Sequence, residues 1–132
     1  MKTLTLIQPW ATLIALNEKH IETRSWATTY RGPLLIHAGQ KVDRSVWRLP
    51  YFKEILEKYG ITPDNIPTSA IIAQVQLTDV QPTEELIDSI STQEKAFGFY
   101  DVGRFGWILQ NTTQFNIPDV KGHLGLWEYK LD

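Results

Sequence analysis

The 132-residue chain contains no cysteine. That excludes disulfide bonds, a thiol nucleophile and thiolate metal sites, and it suits a reducing, cytoplasmic setting. No apolar run approaches the length of a membrane span, and Met1-Lys2 leads into a strand-like run rather than a signal peptide, so no membrane role is expected. Internal repeats, low-complexity tracts and long linkers are also missing. Neither a Gly-x-Ser-x-Gly elbow nor a phosphate-binding glycine loop occurs. Gly98, Gly103 and Gly106 do not make a dinucleotide fingerprint. The three histidines, His20, His37 and His123, lack metal-ligand spacing. The chain therefore carries no signature of a metal or cofactor, and none is expected.

What remains is a chain with 42% apolar and 21% charged residues, in keeping with a folded globular protein. Its length fits one domain, residues 1–132, able to bury roughly two-thirds of its unfolded surface without staples. A net charge of −2 argues against indiscriminate nucleic-acid binding. The charge is unevenly spread, however. Residues 1–53 hold eight Lys/Arg against three Asp/Glu, whereas residues 54–132 hold five against twelve. Such asymmetry permits a local anion-binding face on an acidic protein.

Periodicity divides the chain into β-α-β-β-α-β-α-β-β. Residues 3–7 alternate as a strand. Pro9 suits a first helical turn, with Trp10, Leu13 and Ile14 on one core-facing side and Asn17 as a left-handed stop. Residues 21–26 alternate so that Glu22, Arg24 and Trp26 share one face. Residues 34–38 form a third strand. Asp43 caps a helix through Trp47, in which Arg44 and Arg48, four apart, share a face. Pro50 interrupts that helix, and a second piece carrying Phe52, Ile55 and Leu56 stops at Gly60. Residues 70–80 form a long strand, and Pro82-Thr83 opens a short helix. Residues 91–103 read as irregular, and 105–110 and 124–131 as closing strands. Strands outnumber helices without regular βαβ alternation. The expected class is therefore α+β, a small mixed sheet curled into a barrel with helices against it.

Charge and aromatics concentrate between Gln8 and Gly39. Lys19 and Arg24 together can hold a phosphate, or orient a carbonyl and stabilise developing negative charge. A desolvated Lys19 would also have a lowered pKa and could serve as a general base. Glu22 is either an acid/base for a nucleoside amide or the counter-ion that aims Arg24; the second reading is preferred. The plain alternative is that Glu22 merely neutralises its cations. Trp10, Trp26 and Tyr30 can stack on bases, with core packing the preferred reading for Trp10, while Arg31, Lys41, Arg44 and Arg48 can extend a phosphate-contacting surface. His37 ends an apolar strand, as a satisfied buried histidine or as a polar handle in the cleft.

The strings Gln8-Pro9-Trp10-Ala11, Lys19, Glu22-Thr23-Arg24-Ser25-Trp26, Tyr30-Arg31-Gly32, Ile36-His37-Ala38 and Val120-Lys121-Gly122-His123-Leu124-Gly125-Leu126-Trp127 resemble the ASCH domain family. The resemblance spans essentially the whole chain. It implies a PUA-like fold, a small β-barrel with flanking helices, and RNA or DNA bound in a cleft beside the first helix. One branch of that family removes the acetyl group of N4-acetylcytidine and carries Gly-x-Lys-x-x-Thr-x-Arg. Here residues 17–24 keep Lys19 and Arg24, but Asn17 replaces the glycine and Glu22 the threonine. Glu22 instead matches the coactivator-like branch. Three functions follow as expectations. The first is nucleic-acid binding, RNA foremost, through Lys19, Glu22, Arg24, Trp26, Tyr30, Arg31, His37, Lys41, Arg44 and Arg48. The second is a cofactor-free hydrolase of a modified nucleoside or RNA using Lys19 and Glu22. The third is a regulatory protein-interaction module.

Overall fold

The computed structural model describes residues 1–131. The elements in chain order are β1 (Lys2–Gln8), α1 (Trp10–Ala15), β2 (Ile21–Arg24), β3 (Gly32–Val42), a 3-10 segment (Arg44–Arg48), α2 (Pro50–Lys58), β4 (Ala70–Pro82), α3 (Thr83–Leu86), α4 (Thr92–Ala96), β5 (Phe105–Ile117) and β6 (Leu126–Glu128). Together they make a mixed α+β fold around a six-stranded sheet of order β2-β5-β4-β3-β1-β6. Among the described residues, only β1 and β3 pair in parallel. The loop that returns the chain between them carries α1 and β2, a crossover of the length that parallel pairing demands.

Alternation decides which side of β1 faces which layer. Leu4 and Leu6 join Leu34, Ile36, Val75, Leu77 and Trp107 in the main core, with Ala11 and Ile14 of α1. Thr3, Thr5, Leu35 and His37 point the other way, where Val120 and Trp127 of the C-terminal stretch cover them. Each fully buried leucine of this kind contributes roughly 1.5–3 kcal/mol. A second cluster docks Phe52, Ile55 and Leu56 of α2 on Leu13 and Phe97.

Several boundaries differ from the sequence reading. The sheet curls without closing, because β2 and β6 are its two edges and do not pair, so it is a barrel only in a loose sense. The strand at 21–26 stops at Arg24, which leaves Trp26 in the bend beyond. Pro50 does not interrupt a helix; it begins α2 as a first-turn residue, where its missing N–H costs nothing. The segment before it is 3-10, with three residues per turn, so Arg44 and Arg48 do not align as they would on an α-helix. The span 91–103 contains α4, capped by Ser91 accepting from the Glu94 N–H. The last two strands shift as well: β5 runs on to Ile117, and β6 shrinks to three residues.

Candidate functional site: a cleft at the open seam

Pairing between β1 and β6 ends at Leu4. From Thr5 onward β1 is unpaired on that side, and β2 stands opposite across a gap. Arg24 bridges the gap. Its Nε–H donates to Glu22 Oε2 at 3.1 Å, and its Nη2–H donates to the Thr5 carbonyl at 2.9 Å. Around this bridge lies a cleft of about 390 Å³, lined by Thr5, Trp10, Arg24, Trp26, Lys41, Phe99 and Arg104, among others.

Four segments position these groups. Gln8 sets α1: its Oε1 accepts the Thr12 N–H at 2.9 Å, while its amide nitrogen donates to Thr12 Oγ1 and to the Pro67 carbonyl, each at 2.8 Å. That holds Trp10 between Phe52, edge-on at 5.8 Å, and Phe99, tilted at 6.3 Å. Among the described residues, the Trp10 indole N–H has no acceptor. Trp26 packs its ring edge-to-face with Trp107 at 4.9 Å, and the Trp107 indole N–H donates to the Trp26 carbonyl. Lys41 comes from the end of β3.

The far wall is residues 97–104, docked on β2. The Phe99 N–H donates to Thr23 Oγ1, and Arg104 donates to the Phe99 and Thr23 carbonyls. Gly98 permits this approach, since a methyl group there would lie 2.6 Å from the Tyr100 ring and 3.1 Å from the Thr23 methyl. Phe99 itself remains 58% exposed.

Beneath the cleft lies a closed polar network. The Lys19 side chain has no exposed surface. Its ammonium donates to the carbonyls of Ile21 at 2.5 Å and Phe97 at 2.8 Å, and stands 3.8 Å from Glu22 Oε1. Burial lowers its pKa from the ordinary lysine value, and the charges of Glu22 and Glu94 oppose that shift. Glu94 of α4 accepts the N–H groups of His20 and Ile21. Burial also pushes the Tyr100 hydroxyl well above its usual range, and the charges of Glu94 and Glu22 add to that. Lys19 thus ties the start of β2 to the 97–104 wall.

The structure brings Glu22, Arg24, Trp26 and Lys41 together around the cleft and puts Lys19 below it. The remaining sequence candidates lie elsewhere. His37 faces a second cavity. Tyr30 donates to the Pro33 carbonyl, Arg31 pairs with Asp79 at 3.5 Å, and Arg44 pairs with Asp64 at 2.7 Å. Arg48 lies exposed on the 3-10 segment, outside the cleft. Sequence reasoning missed Phe99 and Arg104. The usable signal was the aromatic run Phe97, Phe99 and Tyr100, interleaved with Gly98, just before an isolated arginine in the acidic half. Among the described residues, no group of three or more His, Asp or Glu is placed to hold a metal ion.

A family model for the ASCH domain matches residues 4–119. The chain belongs to the ASCH domain family. Activating signal cointegrator 1 from Homo sapiens and its Mus musculus counterpart are each 28% identical to it over 138 residues. Those matches take in 98% of this chain but 22% of each relative, so the chain spans about a fifth of their length. Among solved structures, the ASCH protein of Zymomonas mobilis superposes with a TM-score of 0.60 at 12% identity, covering 98% of this chain and 87% of that one. A point-mutant form of the same protein gives 0.53 at 13% identity, covering 89% and 74%. At such identities the likeness speaks for the fold alone. Among the described residues, no helix of this ASCH domain is long and apolar enough to cross a membrane.

Proposed function

We propose that this ASCH domain binds single-stranded nucleic acid, RNA foremost, in the seam cleft. One observation carries the reading: flat aromatic surfaces and cationic heads share a single cleft, Trp10, Trp26 and Phe99 with Arg24, Lys41 and Arg104. Stacking on exposed aromatics is worth about 1–3 kcal/mol per base and tolerates any base. Phosphates recruit the cations, and Arg offers a planar fork for them. Arg24 is aimed beforehand by Glu22 and the Thr5 carbonyl, so less is lost in ordering it on binding. The volume falls within the range of small-molecule sites, suited to a base with its sugar.

The hydrolase alternative needs the Lys19 amine at the substrate. Here the amine is enclosed and donates to two carbonyls, which gives Lys19 a positioning role. Incubation with N4-acetylcytidine is expected to give no product. Fluorescence anisotropy with labelled RNA and DNA oligonucleotides across a salt series tests the main reading. Binding is expected to weaken as salt rises, and Arg24→Ala is expected to weaken it at every salt concentration. Salt-independent binding, or none to any RNA or DNA, overturns it and leaves the protein-interaction alternative.

A further inference from the structure

The second cavity, about 690 Å³, lies on the covered side of β1 and β3 and is lined by His37, Gln40, Ser69, Asp119, Lys121 and His123, among others. It adjoins the seam cleft. Thr5 lines both cavities, and the end of β3 passes from one to the other, with Gly39 and Gln40 on the second and Lys41 on the first.

The wall of this cavity is fastened down. His37 Nε2 lies 2.7 Å from the Val120 carbonyl, an atom that only accepts, so Nε2 carries the proton. Its Nδ1 then accepts from the Thr5 hydroxyl at 3.1 Å, and Thr5 Oγ1 in turn accepts the Trp127 indole N–H at 3.0 Å. Gly122 sits hard against this chain of bonds, since a methyl group there would lie 2.8 Å from both His37 Cε1 and Thr5 Oγ1. The Val120 N–H donates to the Ser69 carbonyl. Beyond these anchors the stretch 121–124 is open. Lys121 and His123 are exposed, and Leu124 is 99% exposed. Among the described residues, the amides of 121–124 make no hydrogen bond to other backbone. A lysine, a histidine and uncommitted amides on a fastened loop are donors suited to a phosphate. Asp119 lies in the same cavity and disfavours a phosphate at its own end.

We infer that the two cavities form one track for a single strand, in which the second cavity receives the phosphate and sugar next to the nucleotide held in the seam cleft. This rests on the seam cleft being a nucleic-acid site. The track predicts a footprint longer than one nucleotide, with Thr5 at its midpoint.

The test is anisotropy with a mononucleotide and with RNA of two, four and eight nucleotides, on the wild type, Arg24→Ala and the double variant Lys121→Glu/His123→Ala. Affinity is expected to rise with length up to about four nucleotides. The double variant is expected to lose about tenfold on the octamer, with a salt slope shallower by about one, and nothing on the mononucleotide. Circular dichroism confirms that the double variant folds. An octamer bound by the double variant as tightly and as salt-dependently as by the wild type, while Arg24→Ala still weakens it, overturns the track and leaves the seam site standing. Failure of the wild type to bind any length overturns both.

Discussion

The floor and the rim of the seam cleft use the same residue types for opposite ends. On the floor, Lys19, Glu22 and Glu94 are buried, and nearly every polar atom has a protein partner. On the rim, Lys41 is exposed and Phe99 lies open to solvent, while the half-buried Arg104 donates to the Phe99 and Thr23 carbonyls. Buried charge is expensive to strand, so the floor is committed to holding shape. Exposed cations bind little within the protein and remain available to a ligand. The run Lys19-His20-Ile21-Glu22-Thr23-Arg24 crosses this boundary. Lys19 belongs to the floor and Arg24 to the rim, and Glu22 contacts both.

The sharpest way to break the comparison is Lys19→Met, which keeps the length of the side chain and removes its charge. It leaves Glu22 and Glu94 with less compensation and frees the Phe97 carbonyl. A loss of about 3–5 kcal/mol in stability is expected by urea unfolding. A loss under about 1 kcal/mol would show that Lys19 is not a structural tie.

The rim should answer differently. Trp26→Ala is expected to cost about 1–3 kcal/mol in affinity for RNA, read by anisotropy beside a thermal melt that separates its packing on Trp107. Lys41→Ala, with no ion pair among the described residues, is expected to shift stability by no more than about 0.5 kcal/mol. It should flatten the salt slope of binding by about 0.7, the value of one phosphate contact on a single strand.

The smallest effect concerns His37. Burial lowers its pKa from the ordinary 6.5; the bond to the Val120 carbonyl opposes that shift and nearby His123 adds to it. A histidine whose pKa is lowered by folding contributes stability that is full above pH 6.5 and is lost as pH falls through that value toward the folded-state pKa. The wild type should therefore lose more Tm between about pH 7.5 and 5 than His37→Gln loses. Equal losses would remove His37 from the account.

Part of the strand framework and part of the rim were legible in the sequence, but the floor was not: Lys19 was expected at the ligand, and Glu94 fell in a stretch read as irregular. Alternation placed Leu4 and Leu6 opposite Thr3 and Thr5, and Asn17 does adopt the left-handed conformation, with φ of 60°. Local pattern could not reveal that the pairing of β1 with β6 ends at Leu4 and so leaves a seam, because strand pairing between residues 4 and 126 is a long-range fact. For the same reason Phe99 and Arg104 went unseen: their segment has no periodicity of its own, and its shape is set by docking onto Thr23. Arg31 and Arg44 looked available because Asp79 and Asp64, which neutralise them, lie far along the chain.

The five tryptophans offer a direct measurement of where the ligand sits. Their indole N–H resonances can be followed by NMR as an RNA octamer is added to isotope-labelled protein. The Trp10 and Trp26 signals are predicted to move, and Trp47, bonded to the Ile61 carbonyl beside α2, is predicted to stay. Movement of Trp47 alone, with Trp10 and Trp26 unchanged under saturating RNA, would contradict a binding site at the seam.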